Sequence, residues 1–361
     1  MNIAILVPVL SDRDAVGTDV LEMARALEQL GHTVRVFTPA TVGDVGKTSK
    51  PAALAAFVAS PDDLVIYHFS IGWAYALDLL RSLRCRRIVR YHNITPPEFF
   101  DLYSQEYVAA CANGRAEIQP LADLGCEVYL GASPFNLEDF LAAGVPAERT
   151  AVLAPFNRVD ALVHSHADLA LLDRYHSGAS TWLSVGRLAP NKAHLNLVDA
   201  FAVYLRAYDA AARLIIVGRA DPRLARYTDE IHARIAQLDI AASVHFLSEV
   251  SDAELKAAYF VADALVITSE HEGFCVPLAE AMALGTPIVG YAAGAVAWTA
   301  GNAALIWDEY DPHVFAASVA RLREDAVLRQ TLRDRGFARV EEEFSTRAQA
   351  RRLAKILEDL G

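Results

Sequence analysis

The sequence predicts an α/β protein built from two doubly wound parallel-sheet halves that face each other across a cleft. Short apolar runs alternate with helical patterns along most of the chain, as parallel strands covered on both faces require. The alternation pauses once, near residues 154–180, and then restarts, which divides the chain in two. A length of 361 residues suits two domains of ordinary size better than one.

Taken in order, Ile3–Val7 reads as the first strand. Asp14–Leu30 reads as a helix, with Val16, Val20, Met23, Ala24, Leu27 and Leu30 on one side and Gly31 as its stop. Val34–Phe37, Leu64–Tyr67, Arg87–Tyr91 and Val128–Leu130 are further strands. After the pause, strands are expected at Trp182–Val185, Leu214–Val217, Val244–Leu247, Ala264–Thr268 and Pro287–Val289. Helices are expected at Ala193–Tyr208 and Asp252–Tyr259. From Pro312 onward only helical pattern remains, ending in the amphipathic segment Thr346–Leu360. The expected domains are 1–155 and 156–344, with a last helix at about 345–361 packing back on the first domain.

Hydrophobic residues make up 53% of the chain and charged residues 22%, enough for two cores and outside the disordered range. A net charge of −12 argues against a nucleic-acid surface. The 4 cysteines, Cys85, Cys111, Cys126 and Cys275, form no Cys-x-x-Cys pair and no zinc-like spacing, and read as reduced thiols of a cytoplasmic protein. The apolar run Ile3–Leu10 has no basic start and is followed at once by Asp12 and Asp14, so a buried strand is expected and not a signal peptide. No run of about 18 uninterrupted apolar residues occurs, so no membrane span is expected.

Two stretches carry chemistry. The first, SEHEGFCVPLAEAMALGTPIVG at Ser269–Gly290, starts where a strand ends, the place where ligands bind such sheets. Gly273 allows close backbone approach and Pro277 suits the first turn of a helix. The amides of Gly273, Phe274, Cys275 and Val276 would then face phosphate or sugar oxygens. Glu272 and Glu280 place two carboxylates in this anion-binding region, which a polyhydroxyl partner would explain. The second stretch, SVGRLAPNK at Ser184–Lys192, puts Arg187 and Lys192 at the mouth of the same sheet, where two cations could hold a diphosphate.

These stretches resemble the donor-site signatures of family 4 of the retaining glycosyltransferases, which have the GT-B fold of two Rossmann-like domains. The family frame places a Glu, seven residues and a second Glu, as Glu272 and Glu280 stand here, with Cys275 where glycine is usual. The resemblance implies that Arg187 and Lys192 grip the donor diphosphate and that Glu280 binds ribose hydroxyls. Glu272 and the amides of Gly273 to Val276 would hold the transferred sugar. YHNITPPEFF at Tyr91–Phe100 resembles the segment in which the family places a histidine facing the sugar, here His92. YHFSIG at Tyr67–Gly72 offers His68 and Ser70, and the pair of segments resembles a subgroup that makes bacterial surface polysaccharides. In the loop Ser11–Thr18 the family usually carries two glycines near the donor phosphate, and here only Gly17 is left. Where relatives have Pro-Glu, this chain has Ala297 and Trp298, and Trp298 is equally a cleft cap or a core residue.

The implied activity is retaining transfer of a hexose from a nucleotide sugar to a hydroxyl of a glycan or lipid-linked saccharide, with GDP-mannose favoured and a UDP-sugar second. No cofactor and no metal is expected, because fixed cations replace a metal in this fold, and domain closure would exclude water. The alternatives are a non-catalytic carbohydrate-binding or scaffold protein on the same fold, or a sugar-nucleotide epimerase. A nicotinamide oxidoreductase would need a Gly-x-Gly-x-x-Gly turn that Ser11–Thr18 lacks. The run Arg81, Arg84, Arg86, Arg87 and Arg90 reads either as a solvated helix end or as a peripheral contact with the inner face of a membrane or a pyrophosphate-linked acceptor.

Overall fold

The structure is a computed structural model that describes every residue except Arg13, Ser177 and Gly361. Arg13 falls in the Ser11–Thr18 loop, so that loop is described only on either side of it. Two compact units result: Met1–Glu98 with Glu106–Arg158 and Glu343–Gly361, and Phe99–Gln105 with Val159–Glu342.

The first unit contains strands β1 (Asn2–Leu6), β2 (Val9–Ser11), β3 (Thr33–Phe37), β4 (Ala40–Val42), β5 (Leu64–Phe69), β6 (Arg86–Tyr91), β7 (Val128–Gly131) and β8 (Thr150–Val152). Six of them form a sheet in the order β3-β1-β5-β6-β7-β8, and the pairs are parallel. Alternation along β1 divides the core. Ile3 and Ile5 join Val20, Met23 and Leu27 of the helix Ala15–Gln29. Leu353 and Leu357 of the last helix, Thr346–Asp359, belong to the same cluster. Ala4 and Leu6 face the other layer with Tyr67, Phe69 and Tyr91. Strands β2 and β4 pair separately.

The first helix begins as its sequence dictates. Asp14 is the N-cap and accepts from the Gly17 amide at 2.7 Å. Gly17 itself packs against backbone: a Cβ there would stand 1.6 Å from the Ser11 carbonyl oxygen.

The arginine run is not a surface patch. Residues 86–91 form β6, inside the sheet, where Arg86 and Arg87 are half-buried and the residues after them are buried. Arg90 is fully buried, and Arg86 donates to the carbonyls of Leu360 at 2.9 Å and Asp62 at 2.7 Å. Of the five, Arg81 and Arg84 are exposed. An anionic-lipid surface takes a cluster of about four to eight cations, so the expected contact is corrected at Arg90, which is fully buried and cannot take part in it. Among the described residues no helix is long and apolar enough to cross a membrane.

The second unit contains β9 (Thr181–Val185), β10 (Arg213–Val217), β11 (Val244–Leu247), β12 (Ala264–Ile267), β13 (Ile288–Tyr291) and β14 (Leu305–Trp307). Their order is β11-β10-β9-β12-β13-β14, the doubly wound order of a dinucleotide-binding sheet. Trp182 of β9 is fully buried against Phe201 and Tyr204. The pause in the pattern holds two short helices, Val159–His164 and Leu169–Tyr175. The segment Phe99–Gln105 joins this unit through side chains that the sequence pattern does not flag. Tyr103 donates to Glu230 at 2.9 Å, and Arg226 donates to the Leu102 carbonyl at 2.9 Å.

The close approach at Gly17 has a measurable consequence. Gly17→Ala should cost about 1–3 kcal/mol through overpacking, read as a lower midpoint in urea unfolding. An unchanged midpoint would show that the loop before the helix can yield without loss.

Candidate active site

The winding direction of the second sheet reverses between β9 and β12, and the loops that leave these two neighbouring strands meet. From β9 the chain runs through Gly186 and Arg187 to a short turn, Pro190–Lys192. From β12 it runs through Thr268 to Cys275, the N-cap of the helix Val276–Leu284. Four short contacts join the loops. The buried Asn191 donates from Nδ2 to the His271 carbonyl at 3.1 Å and accepts at its own carbonyl from the Glu270 amide at 2.9 Å. Thr268 Oγ1 donates to the Ala193 carbonyl at 3.0 Å. Lys192 Nζ meets Glu272 Oε1 at 2.6 Å.

The pair Lys192–Glu272 is placed between core and solvent, with side-chain exposures of 21% and 7%. Burial works against the charge of Lys192, but the charge and hydrogen bond of Glu272, together with Cys275, outweigh it, so the ammonium is held above its ordinary pKa. Arg187 is exposed, and its charge acts on Lys192. Glu280 lies in the helix Val276–Leu284 and accepts from the Tyr259 hydroxyl at 2.7 Å. The N-terminus of that helix has no side-chain cap; Pro277 in its first turn has no N–H, and the Leu278 amide donates to the Cys275 carbonyl at 3.0 Å. Cys275 takes a left-handed backbone, φ 69° and ψ 71°, at a cost of about 1–2 kcal/mol for a side chain that glycine would avoid. Burial pushes its thiol well up. The segment Val296–Ala300 closes round this loop. Thr299 donates to the Phe274 carbonyl at 2.7 Å, and the Ala295 amide donates to the Glu272 carbonyl at 2.9 Å. Trp298 packs edge-on against Phe274 with ring centres 6.3 Å apart.

The first unit holds a second polar cluster at the ends of β5 and β6. Arg90 Nε donates to Asp19 Oδ2 at 2.9 Å, and the Phe156 amide donates to Asp19 Oδ1 at 2.7 Å. His68 Nδ1 and His92 Nε2 are 2.9 Å apart, and Asp19 Oδ2 lies 3.9 Å and 3.7 Å from them. Burial, with help from Arg90, drives both imidazoles well below their ordinary pKa, so both are neutral. Asp19, His68 and His92 bring three ligating atoms within 4.8 Å of one another. The Arg90 guanidinium already supplies the positive partner of that carboxylate, and a dication beside it would meet direct repulsion.

Residues 176–339 match the family described as glycosyl transferases group 1. The chain is 27% identical to a D-inositol 3-phosphate glycosyltransferase of Salinispora arenicola, over 90% of this chain and 83% of that one. It is 37% identical to an MMP alpha-(1->4)-mannosyltransferase of Mycolicibacterium hassiacum, over 34% of this chain and 31% of that one. Within residues 176–339 the chain carries the group 1 glycosyl transferase pattern, and the relatives it matches are glycosyltransferases. Solved structures agree in fold. The Anabaena HepE protein in complex with UDP aligns over 99% of this chain and 100% of its own, with a TM-score of 0.74 at 20% identity. Sucrose-phosphate synthase from Thermosynechococcus elongatus aligns over 100% and 99%, with a TM-score of 0.78 at 19% identity. The two-sheet architecture is that of the GT-B transferases.

In this chain Arg187, Lys192, Glu272, Gly273, Phe274, Cys275, Val276 and Glu280 lie on two joined loops and one helix of the second unit. Gly17 and His92 lie in the first unit, Gly17 in a helix turn and His92 just after β6. Sequence reasoning missed Asn191, Tyr259 and Asp19. For Asp19 a signal existed: a carboxylate three residues from Val16 and four from Met23 sits on the apolar side of its helix. Asn191 and Tyr259 gave none, since each acts through a partner distant in sequence.

A pH dependence follows from His194, which is 2% exposed at the start of the helix His194–Ala207. Burial, then Lys192, lowers its pKa from 6.5 to about 3. The unfolded chain therefore binds a proton near neutrality that the folded chain refuses. The resulting stability is complete above pH 6.5 and is lost as pH falls toward 3. The loss should run at about 1.4 kcal/mol per pH unit, and His194→Gln should flatten the profile by that amount. Urea unfolding of both proteins at neutral and mildly acidic pH checks this; equal pH slopes would refute a neutral buried His194.

Proposed function

We propose that the chain transfers a hexose, with retention at the anomeric carbon and without a metal ion, from a nucleoside diphosphate sugar to an acceptor hydroxyl. The observation that carries this reading is the Lys192–Glu272 pair, which sits at 2.6 Å on two joined loops beside an uncapped helix N-terminus. A cation, a carboxylate and outward amides are what a sugar diphosphate needs: positive charge for the phosphates and acceptors for the hydroxyls. Arg187 and Lys192 take the diphosphate, Glu280 the ribose, and Glu272 with the amides of Gly273 to Val276 the hexose. GDP-mannose is the favoured donor, in keeping with the mannosyltransferase relative, and a UDP-sugar is second, in keeping with the UDP-bound neighbour of the same fold. The acceptor is a glycan or lipid-linked saccharide. Four free thiols fit a reducing compartment, and we place the enzyme in the cytoplasm.

The bond from the anomeric carbon to the β-phosphate oxygen breaks as charge collects on the departing diphosphate. Arg187, Lys192 and the helix amides stabilise that charge in place, and such fixed electrostatic stabilisation is the main source of rate in most enzymes. The anomeric carbon becomes oxocarbenium-like. The acceptor oxygen bonds to it on the face the phosphate leaves, and the acceptor proton passes to the departing phosphate oxygen. Bound donor would present Lys192 with phosphate charge in addition to Glu272, so the ammonium is already charged and oriented before substrate arrives. His92 offers one neutral ring nitrogen to a substrate oxygen.

Arg187→Ala and Lys192→Ala should each weaken nucleoside diphosphate binding by about 1.5–3 kcal/mol, the loss of a charged hydrogen bond. Calorimetric titration with GDP and UDP measures this, and unchanged affinity in both variants would remove the proposed site. The two glutamates should separate. Glu280→Gln weakens the free nucleoside diphosphate, whereas Glu272→Gln leaves or tightens its binding, because Lys192 loses a competing anion, and lowers turnover. Like behaviour of the two variants would show the roles to be wrongly divided. Turnover should persist in EDTA; loss that magnesium or manganese restores would refute the metal-free mechanism.

A further inference from the structure

The histidine pair of the first unit is arranged so that one ring controls the other. His92 Nε2 is engaged with His68 Nδ1 at 2.9 Å. His92 keeps 9% side-chain exposure, and its Nδ1 is not among the buried atoms left without a partner, so Nδ1 is the ring nitrogen that reaches solvent. His68 is fully buried, and its Nε2 has no partner. Two neutral imidazoles share one proton along their contact, which leaves two arrangements. In one, His68 Nδ1–H donates to His92 Nε2; His92 then carries its proton on Nδ1, and His68 Nε2 is an unpaired lone pair. In the other, His92 Nε2–H donates; His92 Nδ1 is then a bare acceptor, and His68 buries an unpaired N–H.

Two features favour the first arrangement. Orphaned buried N–H groups are rarer in proteins than under-satisfied acceptors. The Arg90 guanidinium, whose charge acts on both rings, also has its Nη2 buried without a partner. A lone pair is better placed than a second N–H in that positive field. Asp19 does not decide, since it stands almost equally far from both contact nitrogens at 3.9 Å and 3.7 Å. It is fixed by Arg90 and by the Phe156 amide, and it favours a proton anywhere on the contact.

We propose that His68 is a positioning residue that sets the ring orientation and tautomer of His92, so that His92 meets substrate as a neutral N–H donor through Nδ1 and not as a base. This rests on the reading that His92 faces substrate. It assigns the acceptor proton to the departing phosphate oxygen, since a ring protonated at Nδ1 with Nε2 occupied has no site to receive it. It also gives the buried Asp19–Arg90 pair a task, which is to hold His68 in place.

Long-range proton–nitrogen correlation spectra of the full chain labelled with ¹⁵N-histidine test the pairing directly. The rings are assigned by difference from His68→Asn and His92→Gln. Both should be neutral near pH 7 and protonated at Nδ1, and a proton on Nε2 of His92 overturns the proposal whatever the turnover. Steady-state kinetics supply the second arm. His68→Asn keeps an N–H donor close to the Nδ1 position and should hold kcat within about threefold, whereas His68→Leu should lower kcat by about tenfold or more with KM for the nucleotide sugar unchanged. Equal losses in the two variants would reduce His68 to a packing residue. His92→Ala should lower kcat by about 10²–10³. Normal turnover in that variant refutes the substrate role of His92, while the spectra still decide the pairing.

Discussion

The candidate active site depends on one buried amide. Asn191 is 5% exposed and ties the turn after β9 to the loop after β12 from both its side chain and its backbone. At the point where a doubly wound sheet reverses, neighbouring strands send their chains to opposite faces, and the backbone between them loses its ladder partners. Such groups need replacement bonds or water. Asn191 supplies two of them across a sequence separation of 80 residues. Lys192 and Glu272, the next residue in each loop, are thereby brought within 2.6 Å. The reactive groups are thus set by rigid backbone and not by their own long side chains, the condition for preorganisation.

The same constraint reconciles an acidic chain with the anion site proposed above. The net charge of −12 is a property of the whole surface, and a ligand responds to charges within about a Debye length, roughly 8–10 Å in ordinary salt. Within the site, Lys192 and Arg187 stand close enough for the charge of one to act on the other. Glu272 keeps them from being an isolated cation pair, and the uncapped helix N-terminus adds partial positive charge.

The sequence made the central parts of both sheets legible, because β1, β5, β10 and β12 are largely buried on both faces and carry unbroken apolar runs of four residues or more. It hid β2, β4, β8 and β14, which are 3 residues each, too short for any period to show. Arg187, Lys192, Glu272 and Glu280 were legible because each lies beside a strand end, a Gly or a Pro that marks its own turn. The charged run was harder to read: Arg87–Tyr91 was legible as a strand, but that this strand lies between two others and buries Arg90 was not. Phe99–Gln105 was illegible too, since Tyr103 and Leu102 join the second unit through Glu230 and Arg226, more than a hundred residues away.

Each unit holds a cation against a carboxylate, and burial decides what each pair can do. Arg90 and Asp19 are both 0% exposed, and the remaining bonds of Asp19 go to backbone. Removing either partner would leave a buried charge uncompensated, which costs several kcal/mol, about 3–5 in measured cases. That pair cannot give up its cation to a ligand, and its carboxylate stands 3.9 Å and 3.7 Å from the neighbouring rings of His68 and His92. Lys192 retains 21% exposure, and its carboxylate lies at the end of a loop that faces the helix amides. Water already meets part of its charge, so an arriving phosphate replaces water and adds to Glu272 at little desolvation cost. Chemically similar pairs therefore differ in the solvent left to the cation, and the one with solvent left is the one the proposed donor site uses.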